Sequence, residues 1–323
     1  MGGTDTRRSS AATQARPSPF LKWAGGKRQL LPELRRYYPR EFRGYVEPFV
    51  GSGAVYFDLY AMDRLRGRRV VLMDDNADLV GCYLTVRDHP AAVIRHLTTL
   101  AAERRLGPSE HYYNVRDRRF NPTRAALRKN GGIDPAAYTP RLAAMLIYLN
   151  RTGFNGLFRL NADGLFNVPA GRYANPTICD AEKLRAVAHA LAERRTQIRR
   201  GWFEQVPARA RPGDFVYLDP PYAPLSTTSR FTSYTAGQFS SEDQIRLQAV
   251  VIELARRGCH VLLSNSVAPE VRGLYDENDA ARAAGLRAYR VNARRAINSK
   301  ASQRGPIEEY IVTNIDAGTS PCP

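Results

Sequence analysis

The four residues Asp219-Pro220-Pro221-Tyr222 combine an acid, two prolines and an aromatic. They follow a short apolar run, Phe215–Leu218, which is typical of a buried strand. In open α/β sheets, ligands bind at the carboxyl ends of the strands. At that position, the Asp219 carboxylate and the Pro220 carbonyl can accept hydrogen bonds from the two hydrogens of an amine on a planar ring, such as the amine of adenine. The Tyr222 ring can stack on the face of the same base. A proline-rich turn after a core strand is the alternative interpretation.

Two earlier segments predict the first half of a nucleotide-type α/β unit. Residues 45–53 read YVEPFVGSG, which indicates a strand, a glycine turn and a helix, without the full pattern of a dinucleotide site. A second strand, residues 69–73, ends at Asp74, 21 residues after Gly53. An acid at this offset typically binds ribose hydroxyls; a helix N-cap is its alternative role. Residues 20–27, FLKWAGGK, give a weaker indication of an anion site before a helix.

The α/β alternation lapses between residues 77 and 180. We expect a helix over residues 79–106, a basic stretch broken at Asn121-Pro122 and an apolar helix over residues 141–150. Asp163-Gly164 then separates two apolar runs within residues 151–169, which predicts a β-hairpin.

The predicted hairpin carries aromatics, an asparagine and an arginine, and such residues read base edges and wedge between bases. An ordinary hairpin with Phe154 and Phe158 in the core is the alternative. After residue 180 the alternation returns. The expected elements are a helix at 181–195, a strand near Ile198, a helix at 242–257, a strand at 260–264 and a strand pair at 288–292 and 308–314. Between these elements, residues 223–235 and 294–304 are expected to be flexible loops, the second contacting phosphates.

The composition is that of a basic globular protein. The 323 residues are 43% hydrophobic and 24% charged, with a net charge of +17 and a pI near 10.1. Such a charge favours a polyanionic partner, although an arginine-rich surface without that role is the alternative. Residues 87–129 hold ten Lys/Arg against four Asp/Glu, which favours a phosphate-facing surface there.

Other functional classes find no support in the sequence. No apolar run reaches the roughly 20 residues of a membrane span, and residues 1–19 lack the apolar core of a signal peptide. We expect residues 1–19 and 317–323 to be a disordered leader and tail. The four cysteines lack metal or disulfide spacing, so we predict no metal site and a reducing cytoplasm.

Five blocks in this order make the chain similar to a known family: FLKWAGGK, EPFVGSG, MDDN, NRTGFNGLFRLNADGLFNVPAGRY and DPPYAPLSTTSRFTSY. From about residue 20 to 314 it resembles the Dam-type, α-group DNA adenine methyltransferases, which commonly methylate GATC. The resemblance implies an α/β fold: a Rossmann-like class I methyltransferase core (residues 20–76 and 180–316). An inserted, mainly helical target-recognition domain with the β-hairpin occupies residues 77–179. It also implies S-adenosylmethionine as methyl donor, double-stranded DNA as partner, no metal, a monomer in solution and a cytoplasmic, nucleoid-associated location.

The resemblance also implies roles for individual residues. Those expected around the methyl donor are Trp23, Lys27, Phe49, Gly51, Asp74, Phe166 and Asp219. Those expected on a flipped adenine are Asp219, Pro220 and Tyr222. Those expected on DNA are Lys22 and Arg159 (guanines), Leu157 and Pro169 (thymine methyl), Phe154 (wedge), Arg172 (phosphate) and, without an assigned contact, Asn155.

The chain departs from the family pattern after the strand near Ile198. Trp202 and Phe203 stand where the family often has an acid that bonds the donor's adenine, so stacking would have to replace that bond. Alternatives left open are a methyltransferase for RNA or a protein amide and a DNA-binding protein without activity. A NAD-dependent oxidoreductase would leave Asp219 to Tyr222 unexplained. The sequence does not separate restriction–modification, housekeeping and phage roles.

Overall fold

A computed structural model describes residues 15–318 apart from 106, 130–131, 223–238 and 295–305. The loops expected at 223–235 and 294–304 lie wholly or almost wholly outside the described residues, as does most of the expected leader and tail. Those expectations therefore remain predictions.

Seven of the described strands form one sheet in the order β5-β2-β1-β6-β7-β9-β8, and two more form a small hairpin, β3-β4. Their bounds are β1 Gly44–Glu47, β2 Arg69–Asp74, β3 Arg128–Lys129, β4 Gly132–Ile133, β5 Thr196–Arg200, β6 Phe215–Leu218, β7 His260–Ser266, β8 Arg287–Arg294 and β9 Pro306–Thr313.

The first five strands of the sheet run parallel, and β9 runs antiparallel to both of its neighbours. Tyr45 of β1 stands opposite Val70 of β2 and Phe215 of β6, so β1 lies where the chain order reverses. In doubly wound sheets this switch point is where ligands bind. The mixed α/β architecture with a mostly parallel sheet is compatible with the predicted methyltransferase core.

Helices cover both faces of the sheet. Their bounds are α1 Leu31–Arg35, α2 Ala54–Ala61, α3 Ala77–Asp88, α4 Pro90–Arg104, α5 Pro108–Tyr113, α6 Asn121–Ala126, α7 Pro140–Thr152, α8 Ala181–Leu191, α9 Ser241–Arg256, α10 Pro269–Tyr275 and α11 Asp279–Ala283. A π-helical stretch, Asn114–Phe120, joins α5 to α6.

Successive side chains along the strands point to opposite faces of the sheet and pack into two hydrophobic cores, because strands have a two-residue period. Tyr45 and Leu72 pack with α2, α3, α7 and α8 on one face, whereas Val46 and Met73 pack with α9, α10 and α11 on the other. The helices between residues 77 and 152 belong to the first of these clusters. They share one apolar core with the sheet, and the proposed domain boundary at residue 77 remains a prediction.

Two expectations differ from the structure, and two short helices had no counterpart among the expected elements. The helix expected over residues 79–106 is two helices, because Pro90 disfavours helical geometry at His89 and starts α4. The regular hairpin expected over residues 151–169 is reduced to two isolated bridges, Gly153–Ala170 and Leu160–Phe166. The left-handed backbone at Asn155 (φ 53°) and at the glycine after it interrupts the extended conformation. The short helices α10 and α11 were not expected.

Candidate functional site

The carboxyl edge of the sheet brings acidic side chains together. Glu47 ends β1, Asp74 ends β2, and Asp219 follows β6. Glu47 is 1% exposed and accepts a hydrogen bond of 2.8 Å from the Tyr45 hydroxyl. Burial raises the pKa of Glu47 well above its usual range, and the charges of Asp219 and Asp74 add to this effect.

Asp219 is held by a lysine and a serine. Lys27 Nζ lies 2.8 Å from Asp219 Oδ1, and the Ser264 hydroxyl donates to the same oxygen at 2.9 Å. Burial raises the pKa of the Asp219 carboxyl, and Lys27 opposes that rise. Within the described residues, no side chain or backbone group donates to Oδ2. One carboxylate oxygen is thus fixed by two contacts, whereas the second accepts from no group in the described part of the chain.

Tyr222 is fixed from several sides. Its hydroxyl donates to Glu309 Oε2 at 2.7 Å, and Lys27 Nζ lies 4.5 Å from the centroid of its ring. The preceding carbonyl, that of Pro221, accepts from Gln244 Nε2 at 3.1 Å. Gln244 in turn accepts from Asn265 at 3.0 Å, and both amide side chains are buried. These bonds set the position of the turn and of the Tyr222 ring.

The glycine turn after β1 is tied to β2 through Asp74. Asp74 accepts backbone N–H bonds from Gly51 at 3.1 Å and from Asn76 at 3.0 Å. Burial nevertheless raises the pKa of Asp74 to about 6. Gly51 has φ +47°, and a Cβ built on it would stand 2.9 Å from Trp23 Cδ1. Trp23 therefore lies directly against a backbone that only glycine allows.

Four aromatic side chains cluster beside this turn. Phe49 stacks on Phe203 with ring centroids 5.9 Å apart, and Phe239 meets both of these rings at 5.8 and 5.5 Å. Trp202 lies 5.8 Å from Phe239 and is half-buried, whereas Phe203 is fully buried. The two aromatics that depart from the family pattern thus form an apolar wall with Phe49.

Phe166, expected at the donor, is buried in a second aromatic group. It is 1% exposed and packs against Phe120 and Phe158, each at 5.7 Å. Phe158 stacks on Trp23 at 5.9 Å. The structure thus connects Phe166 to the donor-binding candidates through Phe158 and Trp23.

The residues expected to contact DNA lie on two paired loop segments around residues 153–171. The Phe154 amide donates to the Pro169 carbonyl at 2.9 Å, and Phe154 is 41% exposed. The Arg159 side chain is exposed and donates to Asn167 at 2.7 Å, and Arg172 is exposed as well. Asn155 and Leu157 are partly buried.

Lys22 joins this group although it lies far away in the sequence. Asn150, a residue that the sequence analysis missed, accepts from the Lys22 amide at 2.8 Å and donates to the carbonyls of Lys22 and Gly156, each at 2.7 Å. Lys22 Nζ lies 4.1 Å from the Tyr173 ring centroid. Asn150 begins the fourth block of the family resemblance, but its place among the apolar residues of α7 gave no sign of this role.

The basic stretch at residues 87–129 is less open than its charge suggests. Arg124 forms a buried ion pair with Asp78 at 2.8 Å, and Arg104 donates to the carbonyls of Pro108 and Tyr173. In the described part of the chain, the members that are exposed and in no ion pair include Arg95, Arg105, Arg118 and Lys129. Part of the excess of positively charged side chains in this stretch therefore stabilises the fold.

The described residues hold neither a membrane-spanning helix nor a cluster of metal-binding side chains. No helix among them is long and apolar enough to cross a membrane. They also contain no group of three or more His, Cys, Asp or Glu side chains arranged to hold a metal ion.

Two relatives of the chain are methyltransferases by name. The Type II methyltransferase M1.LlaDCHI of Lactococcus lactis subsp. cremoris is 39% identical, over 92% of this chain and 95% of its own. The DNA adenine methylase of Escherichia coli (strain K12) is 32% identical, over 90% and 93%. A solved structure, a precorrin 8w decarboxylase of Methanobacterium thermoautotrophicum, covers 93% of this chain and 99% of its own. Its TM-score is 0.34 at 11% identity, too low to bear on the fold.

The family model described as D12 class N6 adenine-specific DNA methyltransferase matches residues 23–297. This range contains Asp219, Lys27, Asp74 and the loop segments around Phe154. It confirms the predicted class of enzyme, a DNA methyltransferase specific for adenine. The relatives include both restriction-system methyltransferases and DNA adenine methylases. The chain belongs to the D12 class of N6 adenine-specific DNA methyltransferases.

Proposed function

We propose that the chain transfers a methyl group from S-adenosylmethionine to the exocyclic 6-amino group of an adenine flipped out of duplex DNA, within GATC. The observation that carries this proposal is the pairing of Asp219 with Tyr222 at the end of β6. A carboxylate with one oxygen available stands beside an aromatic ring whose hydroxyl is fixed. This pair suits a planar base that carries an amine.

The glycine turn after β1 fits a methyl donor. Gly51 has a φ of +47°, and Trp23 lies close to it. The turn therefore presents backbone without a side chain at this position, which a ligand can approach closely. Asp74 is suited to ribose hydroxyls, and the wall of Phe49, Trp202 and Phe203 is suited to an adenine ring. When bound, S-adenosylmethionine supplies a methyl group activated by its sulfonium.

The amine of adenine is a weak nucleophile, because its lone pair is delocalised into the ring. Asp219 Oδ2 and the Pro220 carbonyl accept the two amine hydrogens, so the lone pair is free to point towards the methyl group. The negative charge of Asp219 stabilises the positive charge that develops on the nitrogen. Lys27 supports this role because it opposes the rise in the pKa of Asp219. As the N–CH3 bond forms, the S–CH3 bond of the donor would break with its electron pair left on sulfur as a neutral thioether, and the excess proton on the nitrogen would pass to solvent water.

Base flipping costs a few kcal/mol. Tyr222 offsets this cost by stacking on the base, a contact typically worth about 1–3 kcal/mol. Phe154, which is 41% exposed, fills the gap left in the duplex. Both residues are aromatics with accessible ring surface. Tyr222 lies beside Asp219, and Phe154 lies on the paired loop segments.

Catalysis is assigned to residues 20–76 and 180–316, and sequence reading to the inserted region, residues 77–179, together with Lys22. In this proposal, Lys22 and Arg159 bond guanines, because bidentate side chains distinguish base edges in the major groove. Asn155, Leu157 and Pro169 line the same surface, with Leu157 and Pro169 near the thymine methyl, and Arg172 binds phosphate. We further propose a monomer that acts on the genome in the cytoplasm, associated with the nucleoid.

The test uses purified protein, S-adenosylmethionine and an unmethylated plasmid. After incubation, the plasmid is cut with nucleases that distinguish methylated from unmethylated GATC. We expect complete conversion to the methylated pattern. Methylation confined to another sequence would reject GATC and keep the chemistry, whereas absence of N6-methyladenine would reject the proposed reaction.

A further inference from the structure

We infer that Glu309 of β9 is a positioning residue for the methyl-transfer reaction: it holds the Tyr222 ring in the orientation that stacks on the target base. The inference rests on the proposed function and goes beyond it, because it assigns a role to a residue from the antiparallel end of the sheet. The contact that carries it is the hydrogen bond of 2.7 Å from the Tyr222 hydroxyl to Glu309 Oε2.

This contact has the features of a strong hydrogen bond. A hydroxyl that donates to a carboxylate forms a short, charge-assisted bond, stronger than one between neutral groups. Burial raises the pKa of Tyr222 well above its usual range. The hydroxyl therefore keeps its proton over the whole working pH range and remains a donor.

Glu309 is itself rigidly placed. It stands opposite Ser266 of β7 and Val291 of β8, so the backbone around it is bonded on both sides. Tyr222, in contrast, lies outside regular secondary structure, after the last residue of β6. The hydrogen bond to this rigid strand thus restricts rotation of the Tyr222 ring about its side-chain bonds. The turn alone does not restrict that rotation.

The position of Glu309 has an electrostatic cost. Its charge raises the pKa of Asp219, which opposes the ionised form that the amine needs. Lys27, bonded to Asp219 and over the Tyr222 ring, counteracts this effect. We infer that the hydrogen bond from Tyr222 to Glu309 improves binding of the base enough to offset this unfavourable effect on Asp219.

The experiment is a double-mutant cycle with Glu309→Ala, Tyr222→Phe and the double variant. Tyr222→Phe keeps the stacking ring and removes only the hydroxyl. Methyl transfer to unmethylated plasmid DNA is measured as kcat and KM for DNA and KM for S-adenosylmethionine. We expect each single variant to lower kcat/KM for DNA about 10-fold, with KM for the donor unchanged, and the double variant to lose no more than either single.

Two further variants separate positioning from stability. Glu309→Gln keeps an acceptor for the hydroxyl, so we expect it to recover most of the activity. Glu308→Ala, on the same strand, removes an exposed acid 3.7 Å from Arg290, and we expect it to match the wild type. If Glu309→Ala does not fold, Glu309→Leu, which also lacks an acceptor but fills more of the same volume, takes its place in the cycle with Tyr222→Phe.

The outcomes are distinct. Multiplicative losses in the double variant, or a Glu309→Gln variant as impaired as Glu309→Ala, would overturn the role of Glu309. A wild-type protein that methylates no adenine in DNA would instead overturn the proposed function.

Discussion

Asp219 is an acid in surroundings that disfavour its charge. Its side chain is 18% exposed, and burial raises its pKa, yet Lys27 at 2.8 Å and the Ser264 hydroxyl stabilise the ionised form. The sequence marked Asp219 and Lys27, because both stand in compact, unusual groups of residues. It did not mark Ser264 or Glu309, which reach the site from 45 and 87 positions away along the chain. Their roles depend on strand register, which local patterns do not reveal.

The proposed contact between Asp74 and the donor predicts that donor binding depends on pH. Its pKa is raised to about 6 by burial, so it becomes a full carboxylate only above that pH. If the carboxylate holds the donor's ribose, affinity for S-adenosylmethionine should fall about tenfold from pH 7 to pH 5. Calorimetric titration at several pH values measures this. An Asp74→Asn variant should bind more weakly at pH 7 and show little pH dependence, whereas a flat wild-type profile would argue against the role of Asp74.

At the scale of elements, two paired loop segments replace the predicted hairpin. Asp163-Gly164 correctly indicated that the chain reverses direction there, because Gly164 donates back to Asn161 at 2.9 Å. The regular strands were wrong, since Asn155 and Gly156 have positive φ, and Gly156 packs against Lys22 and accepts a hydrogen bond from Asn150. Helix α4 is the opposite case. Pro90 is visible in the sequence and indicates a break, but the prediction of one long helix over residues 79–106 overlooked it.

Gly156 should be indispensable in these paired segments. It has φ +65°, and a Cβ built on it would stand 2.4 Å from Lys22 Cβ. Gly156→Ala should therefore lower the free energy of unfolding by about 2–4 kcal/mol, from backbone strain and overpacking together. Gly67→Ala is the matched control: its φ is +70° with no atom within 4 Å of the built Cβ, so about 1 kcal/mol is expected. Urea unfolding measures both, and equal losses would contradict the packing against Lys22.

Arg159 should determine sequence preference more than affinity. Replacing it with alanine should reduce discrimination at one base pair by about 1–3 kcal/mol, because a bidentate contact to guanine is lost. Competition binding with duplexes that carry single base changes measures this effect. Arg172→Ala, the comparison variant, should weaken binding to all duplexes alike. An equal loss on every duplex for Arg159→Ala would make it a phosphate contact.

At the scale of the whole molecule, a net charge of +17 accompanies a DNA substrate. Several arginines in the most basic stretch are used in internal pairs such as Arg124–Asp78. The remaining exposed cations, among them Arg118, are available for phosphates. The sign of the charge thus predicted the partner, but it did not predict which residues face that partner.

Affinity for DNA should depend steeply on salt. Binding to phosphates releases counterions, so the dissociation constant should rise on the order of 10³-fold between about 50 and 200 mM salt. Fluorescence anisotropy with a labelled duplex measures this change. Affinity for S-adenosylmethionine under the same conditions is the control and should change little. A DNA affinity that is independent of salt would contradict a phosphate-binding surface.

The central claim is that the site formed by Asp219 and Tyr222 directs methyl transfer to the 6-amino group of adenine. The most direct measurement is mass spectrometry of nucleosides from unmethylated DNA incubated with the donor and either the wild type or Asp219→Ala. We predict N6-methyladenine with the wild type and at least about 10³-fold less with the variant, which should still bind DNA. Near-wild-type methylation by Asp219→Ala, or a methyl group found on cytosine, would contradict the account.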